Sequence, residues 1–314
     1  MRFGLFAYRD HPPQELTYVT KVFDFVSNTT AMSKNLATLS AHGGGDGPEA
    51  LTAGLHAAKN LTWREDAAKV VVLIADAPPH GLGESGDGFP NGDPDDLDPL
   101  VIAREMSNLG IAIYSVGCEP ALSNYHYAKS FMISLSELTG GKAVCLSSAS
   151  LLADVITGGA VEEMNIQMLS NQLRSEIQSI REEVESSARV ASAAVPSAED
   201  LDRVVSDRLH ERLQTRGVRM AEMRTDGEMK DFKLSPQINA CAGLSDVRRI
   251  VGEAPTVFRA YRTSAPHHGM FSSAPLPAAP PRATFATTCE VVRDTPSYSS
   301  VAKMVSKASN SNRR

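Results

Sequence analysis

The chain has no CxxC pair, no apolar run long enough for a membrane span and no dense basic face, and each absence removes a class of function. Its four cysteines, Cys118, Cys145, Cys241 and Cys289, are widely scattered, which excludes the ligand spacing of a zinc module and the framework of a disulfide scaffold. Cys118 and Cys145 lie in strand-like runs and read as buried free thiols. No stretch approaches the roughly 20 apolar residues of a membrane helix. The segment from Met1 to Asp10 is too short and too charged for a secretory leader, so a soluble cytoplasmic protein is expected. The formal net charge is -6, and basic residues gather only between Lys303 and Arg314, so no nucleic-acid partner is expected.

Enzymatic signatures are missing as well. The glycine run from Gly43 to Gly47 is not followed by Gly-Lys-Ser/Thr, so it is no phosphate loop. The acidic run Glu84, Asp87, Asp93, Asp95, Asp96, Asp98 lacks EF-hand spacing and reads as a solvated loop. His11, His42 and His80 lie in loops that could converge on one sheet edge, but read as surface residues. No Ser/His/Asp or Cys/His set has interpretable spacing.

What the sequence does contain is Lys69 to Gly81, KVVVLIADAPPHG. An unbroken apolar run from Val70 to Ile74 reads as a strand buried on both faces, as parallel strands are. It runs into Asp76 and a turn. Open α/β sheets bind ligands at the carboxyl ends of their strands, so Asp76 is either a metal or ligand residue or a turn-former. Around it the pattern alternates. Arg2 to Tyr8 and Leu16 to Val26 read as a hairpin. Thr30 to Leu39 reads as a helix, and so does the segment ending near Asn60, with Pro48 in its first turn and Asp46 or Gly47 near its cap. Asp98-Pro99 opens a helix, Ile111 to Gly117 is a buried strand, Tyr127 to Leu138 a helix, Lys142 to Leu146 a short strand, and Leu151 begins another helix. The fold class is therefore α/β, an open, mostly parallel, Rossmann-like sheet flanked by helices.

Three motifs give this order a resemblance: FGLFAYRDHPP from Phe3, GGDGPEA from Gly44 and IADAPPHG from Ile74. Over residues 1–158 the chain resembles a von Willebrand factor A (vWA) domain, in the intracellular branch that accompanies alpha-kinases. The resemblance implies a metal-ion-dependent adhesion site, in which three loops hold a divalent cation, Mg2+, and leave one position for a carboxylate of a protein partner. The third-loop aspartate carries over onto Asp76. The second-loop position, often threonine, falls on Asp46, whose extra negative charge lowers the appetite for an acidic partner; a cap or turn role for Asp46 stays open. Gly44 and Gly45 give that loop a tight path, and Glu49 is a stand-in ligand unless it faces the helix. The first-loop motif, Asp-x-Ser-x-Ser, and its strand are absent near Met1. The vWA-like domain is therefore expected to be N-terminally truncated, with an incomplete metal site and two half-sheets with exposed edges. An incomplete gene model would give the same pattern.

Beyond residue 158 two further segments are expected. In 159–231, Met164, Met168, Leu173, Ile177, Ile180 and Val184 form an apolar stripe, and Ser197 with Asp200 opens a second helix through Leu201, Val205, Leu209 and Leu213. This helical extension invites packing or self-association. Residues 232–314 are rich in Pro, Ser and Ala and are expected to be largely disordered. The stretch from Ala160 to Arg314 is too short and too low in complexity for a kinase domain. The function expected is a non-enzymatic protein-interaction module; the alternative is a regulatory fragment of an alpha-kinase-type signalling protein.

Overall fold

A computed structural model describes residues 1–42, 44–146, 148–190, 197–230, 234–253 and 288–311. In chain order they form β1 (Phe3–Tyr8), β2 (Thr20–Val26), α1 (Thr29–Leu36), α2 (Leu51–Lys59), β3 (Lys69–Ala75), α3 (Pro99–Asn108), β4 (Ile111–Cys118), α4 (Ala128–Thr139), β5 (Ala143–Leu146) and α5 (Leu152–Gln172). There follow α6 (Arg174–Val190), α7 (Ala198–Thr215), β6 (Met220–Thr225), α8 (Ser235–Ala240), α9 (Leu244–Glu253), β7 (Cys289–Asp294) and α10 (Tyr298–Ser311).

The apolar runs become a three-stranded parallel sheet, β3–β4–β5, with β4 in the middle. The helices between the strands start and stop where their residues dictate. Asp98 accepts the Leu100 and Val101 amides ahead of Pro99 and so caps α3, and Gly140 ends α4 in the left-handed region. Because side chains alternate across a strand, β3 and β4 serve two cores. Val71, Leu73, Ile111 and Ile113 face α2, α3 and α4 through Leu55, Met106 and Phe131. Ala112, Tyr114 and Val116 face Val155 of α5 and Met223 of β6.

The two outer edges of this sheet differ. At β5 the edge is closed: the Cys145 amide donates to the Gly227 carbonyl and the Met229 amide to that of Ala143. At β3 no strand pairs with the outer edge among the described residues. β1 and β2 form their own antiparallel hairpin beside α2 instead. The hairpin and the parallel sheet are thus two separate sheets among the described residues, beside the β6–β7 pair.

Several local expectations change. Pro48 does not enter α2; that helix starts at Leu51 with Ala50 at its cap. The reason is that the amides of Glu49 and Ala50 are taken by the carbonyls of Pro78 and Arg9. The apolar stripe is broken at Leu173 into α5 and α6. Its later members, Ile177, Ile180 and Val184, pack in one cluster with Leu201, Val205, Leu209 and Leu213 of α7 and with Val301, Met304 and Val305 of α10. The stripe is thus covered within the chain, while Met164 and Met168, expected on it, are exposed.

The boundary at residue 158 falls inside α5. The expectation of disorder after Asp231 does not extend to the described residues there, which form α8, α9, β7 and α10. β7 pairs along its whole length with β6, a long-range partner that local composition does not reveal. Residues 254–287, the proline-rich part, lie outside the described residues. No described helix is long and apolar enough to cross a membrane.

Candidate functional site

Three loops meet at the carboxyl edge of the parallel sheet because their backbones bond to one another. The Ala50 amide donates to the Arg9 carbonyl at 2.9 Å, and the Glu49 amide to the Pro78 carbonyl at 3.0 Å. The segment after β1 is so tied to the start of α2, and that start to the turn after β3. The loop after β4 joins through Tyr125, whose hydroxyl donates to the Gly47 carbonyl at 2.8 Å.

These ties gather Asp10, Asp46 and His80, whose ligand atoms all lie within 4.8 Å of one another. Asp10 is fully buried and His80 is 2% exposed. His80 Nε2 lies 2.6 Å from Asp10 Oδ1, and His80 Nδ1 lies 2.8 Å from Asp87 Oδ1. Asp87 is held in turn by the amides of Gly81 and Phe89. Beside this group His11 Nε2 stands 3.3 Å from Asp93 Oδ2, and the rings of His11 and His80 both pack against Phe89. Two oxygens of the group, Asp10 Oδ2 and Asp46 Oδ1, are buried with no hydrogen-bond partner. Buried carboxylate oxygens of this kind call for a cation or a proton, so the donor set fits a metal ion.

The residues expected at the site are placed as follows. Asp46 belongs to the group, and its Oδ2 accepts the Gly88 amide. The approach at Gly88 is close: a Cβ there would lie 3.1 Å from that oxygen and 2.6 Å from Gln14 Nε2. Gly45 lies against Gln14, where a Cβ would sit 1.8 Å from Oε1; Gly44 is exposed in open space. Glu49 is half-buried near the group. Asp76 is exposed at the end of β3 and stands outside the three-residue group. With Glu49 it adds to the upward push that burial gives the Tyr8 phenol.

Two readings of the sequence are corrected. His11 and His80 are buried, not surface residues; only His42 of the three is exposed, near Glu15. The acidic run is not simply solvated. Glu84 accepts the Tyr127 amide ahead of α4, Asp87 orients His80, Asp93 faces His11, and Asp98 caps α3 and accepts the Leu244 amide.

The electrostatics set a pH dependence. Burial alone would lower the His80 pKa, but hydrogen bonds to Asp87 and Asp10 raise it above its ordinary 6.5. Burial, then the Asp10 carboxylate, pushes Glu49 up to about 7, and burial with the Asp10 carboxyl raises Asp46 against the opposing Gly88 amide. A group whose folded pKa is raised contributes stability at low pH and loses it as pH climbs through the folded value. The charged groups facing this cluster are Asp10, Asp46, Glu49, Asp76, Asp87 and the His11–Asp93 pair. The Glu49 contribution is therefore lost between its ordinary 4.5 and about 7. Glu49→Gln should remove the part lost up to about pH 7. A Glu49→Gln variant whose urea midpoint falls as steeply over this interval as that of the unmutated chain would refute the assignment.

Comparison with known proteins gives partial matches. No family model matches the chain, and no solved structure does. Over 116 residues the chain is 31% identical to the alpha-protein kinase vwkA of Dictyostelium discoideum, covering 36% of this chain and 18% of the kinase. Over 158 residues it is 28% identical to a protein of Acanthamoeba polyphaga mimivirus named as a putative ariadne-like RING finger protein, covering 47% of this chain and 14% of that protein. The chain thus spans less than a fifth of the length of these relatives, and part of it is similar to part of an alpha-protein kinase.

Proposed function

We propose that this chain is a non-enzymatic protein-interaction module of the vWA type, with its ligand face at the carboxyl edge of the parallel sheet. The observation that carries this reading is the joining of three loops by backbone hydrogen bonds, which brings Asp10, Asp46, Glu49 and Asp76 to one edge. In this reading a divalent cation, Mg2+, is held there, with Asp76 as the exposed ligand at the rim, reached directly or through water. A carboxylate from a protein partner completes the coordination. Gly45, which lies against Gln14, lets the loop carrying Asp46 lie close to the site.

Calorimetry on the purified chain tests this. MgCl2 or MnCl2 should give binding heat that Asp76→Ala removes. Absence of heat with the unmutated chain would sink the cation-dependent reading.

A second reading, a regulatory part of an alpha-kinase-type signalling protein, is favoured by the similarity to vwkA. The two agree that the chain itself does not transfer phosphate. Incorporation of labelled phosphate from ATP by the purified chain would count against both.

A further inference from the structure

We propose that Asp10, Asp46 and His80 form a mixed nitrogen–oxygen site for a transition-metal dication of the Zn2+ class, with Asp87 as the residue that positions the imidazole. The site shares Asp46 with the cation reading above but does not use Asp76, and only the use of its open position by a protein carboxylate rests on that reading.

The three side chains come from three separate loops, yet their ligand atoms lie within 4.8 Å. A cluster of acids alone would say little. Here a second observation points to a ligand: Asp10 is fully buried and its Oδ2 has no partner, and Asp46 Oδ1 is buried and unpartnered as well. Three carboxylates, Asp10, Asp46 and Asp87, face one imidazole, so even a protonated His80 leaves the group negative.

His80 is oriented as metal-bound histidines are. Its Nδ1 meets Asp87 Oδ1 at 2.8 Å, and Asp87 is fixed by the Gly81 amide at 2.7 Å and the Phe89 amide at 2.8 Å. A carboxylate behind the imidazole fixes its tautomer and leaves the far nitrogen, Nε2, to bind the ion. That nitrogen now lies 2.6 Å from Asp10 Oδ1. Ligands about 2.1 Å from a tetrahedral ion are about 3.4 Å apart, so an ion entering between them needs the two atoms to move apart by under about one ångström. As it enters, the bonds from the metal to Nε2 and to the carboxylate oxygens form, and the proton held between His80 and Asp10 leaves to solvent. No electron is transferred.

The nitrogen donor decides the class of ion. Mg2+ and Ca2+ prefer all-oxygen shells, whereas imidazole with carboxylates suits Zn2+ and its neighbours. Three protein ligands leave one position open.

Cobalt provides the test, as a coloured stand-in for zinc. The chain, stripped with chelator and freed of any histidine tag, should develop a visible absorption band with CoCl2. The band should lack thiolate charge transfer, be erased by ZnCl2 and resist a large excess of MgCl2. His80→Gln and Asp10→Asn should abolish it, Asp87→Asn should weaken binding about ten- to hundred-fold, and His42→Gln, an exposed histidine, should leave it unchanged. Should the buried variants fail to fold, the chain with those residues intact still decides: its melting temperature should rise with ZnCl2, and Asp76→Ala should leave that rise in place. No cobalt band and no zinc-induced rise would overturn the site, as would a band that persists in folded His80→Gln and Asp10→Asn. Mg2+ heat without a cobalt band removes this site and leaves the interaction reading; a cobalt band without Mg2+ heat does the reverse.

Discussion

Glu163→Ala should lower the unfolding free energy of this chain by about 3–5 kcal/mol, the usual cost of removing one partner from a buried ion pair. Glu163 on α5 is fully buried and pairs through Oε1 with Lys303 of α10; Lys307 Nζ lies 3.7 Å from its Oε2. The Tyr114 hydroxyl donates to the same carboxylate at 3.3 Å. Lys303 is itself buried, and burial followed by the nearby Lys307 holds its pKa well below the ordinary lysine value. Without Glu163 that ammonium keeps the Gly140 carbonyl, at 2.8 Å, as its hydrogen-bond partner. Domain stabilities run to roughly 5–15 kcal/mol, so the loss is a large share of the whole. Removing both charges should behave differently: Glu163→Leu with Lys303→Met should recover most of the loss, because two apolar groups need no solvation. Urea unfolding of both variants checks this. A loss below about 1 kcal/mol for Glu163→Ala, the level of an exposed pair, would show that the network contributes little.

The sheet is legible in the sequence because its signals are local. Val70 to Ile74 reads as a strand by its unbroken apolar run, although it is fully buried on one face only, at Val71 and Leu73, with Ile74 exposed; Asp98-Pro99 and Gly140 mark helix ends by their own chemistry. Asp46, singled out by its motif, belongs to the buried group, whereas Asp76, singled out likewise, stands exposed outside it. His80 and Asp87 are not legible. Histidine and a run of acids are ordinarily solvated, and only the fold-back of residues 80–89 makes them one buried group. A usable signal exists in the spacing, because Gly81, Gly83, Gly86 and Gly88 supply the turns that such a loop needs. The role of Glu162 and Glu163 is hidden for a related reason. Apolar spacing on α5 points to Met164 and Met168. The buried positions are instead Ile166, Leu169 and the two glutamates, which are tolerable inside only because Lys142, Lys303 and Lys307 arrive from elsewhere. α10 carries a start signal of its own, since Ser297 caps it by accepting the Ser300 amide, but the low-complexity sequence before it masks that signal.

The purified chain should associate in a concentration-dependent way, and Ile74→Lys should weaken that association at least about tenfold, or about 1.4 kcal/mol. The reason is the asymmetry of the sheet edges. β5 is closed by residues 227–229, but β3 pairs only with β4 among the described residues. An open edge presents unpaired amides and carbonyls at the spacing of a partner strand, and proteins usually blunt such edges with charge, proline or a bulge. β3 has none of these between Val70 and Ala75. Its Ile74 is 43% exposed, so pairing with the β3 of a second copy would also bury apolar surface. A lysine there leaves Val71 and Leu73, which face the core, untouched, because side chains alternate across the strand. It should therefore act on association and not on folding. Analytical ultracentrifugation over a wide concentration range, with thermal unfolding as the control, separates the two effects. A chain that stays monomeric throughout, or an Ile74→Lys variant that associates as strongly as the unmutated chain, would show that the β3 edge is not the contact.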